Sequence, residues 1–78
     1  MTATAYVLIN AELGKEEQVL ASLKELEGVV EANLLYGVYD VIVKIRTESL
    51  QDLKNLISWK VRKAGYVRST LTMIVMEQ

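Results

Sequence analysis

The sequence contains no cysteine, histidine, proline or phenylalanine, and it has a single tryptophan. Without cysteine or histidine, neither a disulfide bond nor a His/Cys zinc cluster can stabilise the fold. The usual general base at neutral pH and the usual strong nucleophile are also missing, which argues against an enzyme. We therefore expect no catalytic residue, no cofactor and no metal site.

An excess of one charge is lacking as well, because ten acidic and nine basic residues leave a formal net charge of −1. Proteins that bind nucleic acid or a membrane surface usually carry a field of one sign, so we expect neither as a direct partner. The apolar run from Ala5 to Ile9 is too short for a membrane span or a signal-peptide core, and no basic residue precedes it. These features predict a cytoplasmic protein.

A chain of 78 residues, 51% of them hydrophobic, has the length of one domain. A domain of this size buries only roughly 60–65% of the surface that its unfolded chain exposes. Since neither disulfides nor metals are available, association with further copies is the remaining way to stabilise it. We expect a single domain over residues 1–78 that forms homo-oligomers.

Alternating and continuous apolar runs predict four β-strands. The predicted strands cover residues 3–11, 29–36, 39–46 and 66–76. In the first strand, the alternation places Tyr6 and Leu8 on one face and the apolar side chains of Ala5, Val7, Ile9 and Ala11 on the other. In the third strand, Asp40 and Ile42 share a face, whereas Tyr39 points to the opposite face.

Apolar stripes and capping residues predict two helices. The first begins after Gly14 and is ended by Gly28. The second begins with a capping box, Ser49 followed by Asp52, and ends at Gly65. The predicted stripes are Val19, Leu20, Leu23 and Leu26 in the first helix and Leu50, Leu53, Ile57 and Val61 in the second.

The resulting order, β-α-β-β-α-β, is typical of the α+β, ferredoxin-like fold, in which a four-stranded antiparallel sheet carries both helices on one face. The other face of the sheet is then uncovered. Trp59 is expected about 180° around the second helix from Leu50, where its indole would be solvated in a monomer. We predict an oligomer interface that contains Tyr6, Leu8, Ile42 and Trp59.

The candidate ligand site is the segment Tyr36-Gly37-Val38-Tyr39-Asp40, which has two interpretations. In the first, it is a hairpin turn in which Gly37 takes a positive φ and Asp40 accepts backbone hydrogen bonds. In the second, backbone N–H groups beside Gly37 hold a carboxylate and Asp40 pairs with an ammonium, as an amino acid would require. Thr70 and Thr72 can add hydroxyl groups, although ordinary β-propensity also explains both.

Two motifs together resemble the effector-binding module of leucine-responsive/asparagine-responsive (Lrp/AsnC-type) transcriptional regulators. This module is also called RAM, for regulation of amino acid metabolism. The motifs are Gly37-Val38-Tyr39-Asp40 before an apolar strand and the last-strand sequence Val67-Arg68-Ser69-Thr70-Leu71-Thr72. The resemblance covers essentially the whole chain.

The resemblance implies dimers that form through the sheets, assemble into octamer-like rings and bind an amino acid between dimers. Gly37, Val38, Tyr39 and Asp40 would line that site, with Tyr36, Thr70 and Thr72 as weaker candidates. Full-length members carry an N-terminal helix-turn-helix domain that binds DNA, whereas this sequence resembles a stand-alone module without one. We therefore expect no direct contact with nucleic acid.

The leading hypothesis is a stand-alone regulatory module that oligomerises and senses an amino acid effector. It would act on transcription or metabolism through partners such as full-length Lrp/AsnC regulators. One alternative is a small dimeric ferredoxin-like enzyme of the isomerase or monooxygenase type, which would need polar residues at inner positions. The other is a purely structural oligomerisation module.

Overall fold

The computed structural model describes residues 2–76. Its elements, in chain order, are β1 (Ala3–Ala11), α1 (Glu16–Lys24), β2 (Val29–Leu34), β3 (Val41–Thr47), α2 (Leu50–Leu56), a π-helical turn (Ile57–Val61) and β4 (Val67–Ile74). The predicted order of strands and helices is confirmed. Within residues 2–76, no helix has both the length and the apolar character that a membrane crossing needs.

The four strands form one antiparallel sheet in the order β2-β3-β1-β4. β1 pairs with β3 on one side and with β4 on the other, so that Val7 lies opposite both Val43 and Thr72. Residues of both helical segments pack against the same side of this sheet. The predicted α+β, ferredoxin-like fold is confirmed.

The core lies between the helices and the sheet face that they cover. Along β1, burial alternates from residue to residue, because every second side chain of a strand points to the same face. No polar or charged residue of the described chain is fully buried. The buried side chains belong to Ala5, Val7, Ile9, Ala11, Val19, Leu23, Ala32, Val41, Val43, Ile45, Leu53, Ile57 and Val61.

The second helical stripe begins later than predicted. Leu50 is 48% exposed, because it is the first residue of α2 and lies beside the end of β4, in a shallow apolar groove with Ile74 and Val75. The remaining three members of the predicted stripe are buried. The predicted cap is confirmed, since the Asp52 N–H donates to the Ser49 hydroxyl at 3.1 Å.

The second helix also changes its winding towards its end, which the sequence pattern does not indicate. Between Ile57 and Val61 it is π-helical, and the Arg62 N–H donates to the Ile57 carbonyl, five residues earlier, at 2.9 Å. Ile57 and Val61 both reach the core, while Trp59, between them, stays exposed.

The connection between β2 and β3 is longer than the predicted turn at Gly37. β2 ends at Leu34 and β3 begins at Val41, which leaves a six-residue loop over residues 35–40. The Leu35 N–H donates to the Asp40 carbonyl at 2.8 Å and closes the loop. Gly37 does not take the predicted positive φ, because a loop of this length can reverse the chain without a left-handed residue.

The chain enters β2 and β4 through left-handed residues, but only one of them is a glycine. Gly28 has φ +103°, and a Cβ built on it would lie 2.8 Å from the Leu56 Cδ2. Before β4, the left-handed residue is Tyr66, with φ +69°, and not Gly65, the predicted end of the second helix. α1 likewise differs at its ends, since Lys15 and not Gly14 is its N-cap and the helix stops at Lys24.

Replacing Gly28 with alanine is expected to destabilise the fold by about 1–3 kcal/mol, because a left-handed backbone would then carry a Cβ pressed against Leu56. The midpoint of urea unfolding at fixed protein concentration measures this effect. Gly37→Ala is the matched control, since no atom lies within 4 Å of the Cβ position at Gly37. Equal midpoints for the two variants would contradict this role of Gly28.

Candidate functional site

The loop over residues 35–40 projects from one end of the sheet and is anchored at its last residue. The Asp40 N–H donates to the carbonyl of Ile9, the β1 residue that also pairs with Val41, at 2.9 Å. Tyr36 is fully exposed and Val38 is 86% exposed. The two side chains therefore have almost no cover within one chain.

Asp40 is half-buried and its carboxylate is held in place by the neighbouring strand. The Ala11 N–H, at the end of β1, donates to the Asp40 Oδ2 at 2.8 Å. This is the hydrogen bond that the hairpin interpretation requires. It engages one carboxylate oxygen, and no hydrogen bond to the Oδ1 is found among residues 2–76. Asp40 therefore combines a structural contact with an oxygen that a ligand can approach.

A polar cavity of about 340 Å³ lies beside Asp40. Its lining residues are Asn10, Ala11, Asp40, Arg68 and Ser69. The Asn10 Nδ2 donates to the Ser69 Oγ at 3.3 Å, so these two side chains face each other across β1 and β4. The cavity thus presents one carboxylate, one guanidinium, one amide and one hydroxyl, a set suited to a small ligand with charges of both signs.

Arg68 and Ser69 are not among the site residues predicted from the sequence. Nothing in the local pattern distinguishes Arg68 from the other basic residues that follow the second helix. The β1–β4 register shifts beside this cavity, since Asn10 pairs with Ser69 while Ala11 pairs with Val67. Arg68 is the extra residue of this bulge, and bulges commonly redirect a side chain.

Thr70 and Thr72 do not line this cavity in a single chain. They lie opposite Ile9 and Val7 of β1, whose side chains point into the core, and cross-strand partners share a face. Tyr36, Gly37, Val38 and Tyr39 are likewise absent from the cavity. Their shared site between subunits stays a prediction.

The uncovered sheet face carries two adjacent rows of side chains, defined by the strand register. Across β3, β1 and β4, one row runs through Ile42, Leu8 and Leu71, and the next through Lys44, Tyr6 and Met73. On β2, polar side chains continue the two rows, at Asn33 and Glu31. Leu71 and Met73 are 45% and 44% exposed, and both belong to the alternation of β4, which could have identified them from the sequence. We call the six residues of these rows on β3, β1 and β4 the open face.

Trp59 lies in the helical layer and not on the open face. Its indole is 64% exposed, and the Lys63 Nζ lies 4.5 Å from the ring centroid. Trp59 also lines a cleft of about 570 Å³ between α2, the end of β3 and the entry to β2. Trp59 and the other three predicted interface residues therefore belong to separate surfaces.

Comparison with protein families identifies the chain over nearly its whole length. The model of the Lrp/AsnC ligand binding domain matches residues 4–78. The HTH-type transcriptional regulator FL11 of Pyrococcus furiosus is 36% identical over 73 residues, which cover 94% of this chain and 48% of FL11. The chain thus spans about half the length of the curated relatives it matches.

Solved structures agree with this match. The crystal structure of FFRP-DM1 is 40% identical, with a TM-score of 0.91, and the alignment covers 95% of this chain and 99% of that one. The structure of Escherichia coli AsnC is 25% identical, with a TM-score of 0.87, over 97% of this chain and 52% of AsnC. The match over residues 4–78 and these relatives show that the chain belongs to the Lrp/AsnC family, through its ligand-binding domain.

Proposed function

We propose that this chain is a regulatory module that binds a free amino acid beside Asp40 and converts binding into a change of oligomeric assembly. The observation that carries the proposal is the half-buried Asp40 carboxylate, oriented by the Ala11 N–H at the edge of a cavity with both charge signs. Membership of a ligand-binding domain family of transcriptional regulators supports the same function.

The ligand's ammonium group would bind the Asp40 carboxylate. Because the Ala11 N–H holds Oδ2, the carboxylate is oriented before the ligand arrives and little side-chain entropy is lost on binding. The exposed side chains of Tyr36 and Val38 would then contact the ligand from the loop of a neighbouring copy. A complete site would therefore form only in the oligomer.

A second copy is expected to cover the open face. Four of its six residues, Leu8, Ile42, Leu71 and Met73, are aliphatic, and Tyr6 adds an aromatic ring between them. A contiguous apolar patch of this kind usually marks an interface in a small domain. Because the open face and the Trp59 cleft lie on separate layers, a dimer formed through the sheets leaves Trp59 available for contacts between dimers.

Contacts between dimers suggest how ligand binding would change the oligomeric assembly. A ligand placed between dimers shifts the assembly only if it binds one arrangement more tightly than the other. The exposed loop over residues 35–40 belongs to the candidate site and is free to contact another dimer. Full-length Lrp/AsnC regulators, which share this domain, are the expected partners of mixed assemblies.

No observation favours an enzyme. The positions between sheet and helices are filled with aliphatic side chains, and Tyr39, the chief polar candidate there, is only half-buried at the end of the sheet. A purely structural oligomerisation module remains the alternative. Ligand titration distinguishes the two, because only a sensor would bind an amino acid.

Isothermal titration with each of the twenty standard amino acids is expected to give binding heat for at least one of them. Asp40→Asn should weaken that binding at least about tenfold, because the ammonium loses its charged partner. This variant keeps an acceptor for the Ala11 N–H, whereas Asp40→Ala, which should also abolish binding, removes it. Thermal unfolding of both variants checks that the fold is retained.

The chain offers one matched control, its other aspartate. Asp52 lines the Trp59 cleft, so Asp52→Asn should leave amino acid binding unchanged. Absence of heat with all twenty amino acids would refute the sensing function. Loss of binding in Asp52→Asn but not in Asp40→Asn would move the site to the Trp59 cleft.

In light scattering at micromolar concentration, the wild-type protein is expected to have a mass above that of the 8.8 kDa chain. Leu71→Lys should reduce this mass, because a charge would be placed on the β4 edge of the open face. Leu13→Lys is the control, since Leu13 is 94% exposed in the loop after β1. A wild-type mass of one chain would refute the dimer.

A further inference from the structure

We infer that Arg68 binds the carboxylate of the ligand and that the cavity beside Asp40 thereby selects molecules with both an ammonium and a carboxylate. This inference rests on the proposed function and names the recognition chemistry of that site. Arg68 thereby takes the place of the backbone N–H groups beside Gly37, which the sequence pattern suggested as the partners of the carboxylate.

The backbone around Gly37 does not provide the expected anion site. A concave nest of N–H groups needs alternation between right-handed and left-handed residues. None of the residues from 35 to 40 has a positive φ. At Gly37 no neighbouring atom lies within 4 Å of a built Cβ, so the loop does not close around a ligand there. A carboxylate bound near Asp40 needs another partner.

Two adjacent irregularities place Arg68 at the cavity. Tyr66 adopts a left-handed conformation, with φ +69°, although Gly65 beside it could take that conformation without strain. Arg68 then follows as the bulged residue of β4. Strained residues and bulges are frequent beside ligand sites, and the bulge directs Arg68 to the cavity instead of along the regular strand alternation.

The strained segment is held by two contacts from the connection between β1 and α1. The Glu12 N–H donates to the Tyr66 carbonyl at 2.8 Å, and the Lys15 Nζ lies 4.9 Å from the centre of the Tyr66 ring. These contacts join that connection to the residue before β4. The position of Arg68 is therefore fixed from the backbone, although its side chain is exposed.

The charges of the cavity are arranged for a zwitterion. Asp40 and Arg68 line the same 340 Å³ space, and within residues 2–76 no ion pair joins them at 4 Å or less. The guanidinium group has five N–H donors in a planar fork, which matches both oxygens of a carboxylate. The Asp40 Oδ1 provides the matching acceptor for an ammonium. The cavity volume falls in the range of small-molecule sites.

The test is a titration of wild type and Arg68→Gln with the twenty standard amino acids and with their α-amides, which lack the carboxylate. Wild type should bind the preferred amino acid at least about tenfold more tightly than its amide. Arg68→Gln should bind both about equally, because the partner of the carboxylate is gone. If Arg68 had only a structural role, Arg68→Gln would weaken the binding of the acid and of the amide alike.

Arg62→Gln is the control, since Arg62 is exposed beside Trp59 and not in the cavity. The inference is overturned if Arg68→Gln retains the wild-type preference for the acid, or if wild type binds amide and acid equally. If Asp40→Asn then still loses binding, the proposed function stands without Arg68. If no amino acid binds wild type, both are refuted.

Discussion

The pairing of β1 with β3 is the constraint on which the other features of the structure depend. Because strand side chains alternate between faces, the register that places Val7 opposite Val43 decides which residues enter the core and which form the open face. The same pairing, together with the hydrogen bond from the Asp40 N–H to the Ile9 carbonyl, fixes the candidate site at the end of the sheet. A shift of one residue would reverse both faces and move Asp40 away from Ala11.

The molecule has one layer of helices and one sheet, so the helices cover only one face of the sheet. The open face and the surface around Trp59 therefore lie on different layers. The open face is largely apolar and belongs to the sheet, whereas Trp59 belongs to the helical layer, where its indole lies outside the core. An assembly that covers both must therefore use two different contacts. This is the geometry that a regulatory module needs if one contact is permanent and the other responds to a ligand.

The two interpretations of Asp40 are compatible. The hydrogen bond from the Ala11 N–H satisfies the hairpin interpretation, and it also orients the carboxylate that the binding interpretation requires. The structural role and the proposed binding role can share one residue because a carboxylate has two oxygens and the strand engages only one. The neighbouring bulge places Arg68 in the lining of the same cavity, so groups of opposite charge line one space where two strands lose their regular pairing.

The sequence alone determined the order of elements, the inward face of β1 and the helix cap at Ser49, because periodicity and capping are local properties. It did not determine the loop length at Gly37, the left-handed conformation at Tyr66 or the π-helical winding beside Trp59. Nor did it indicate that Arg68, and not Thr70 or Thr72, lines the cavity beside Asp40 within one chain. These features depend on the register between strands distant in sequence, and a single bulge changes that register without leaving a pattern in the residues around it.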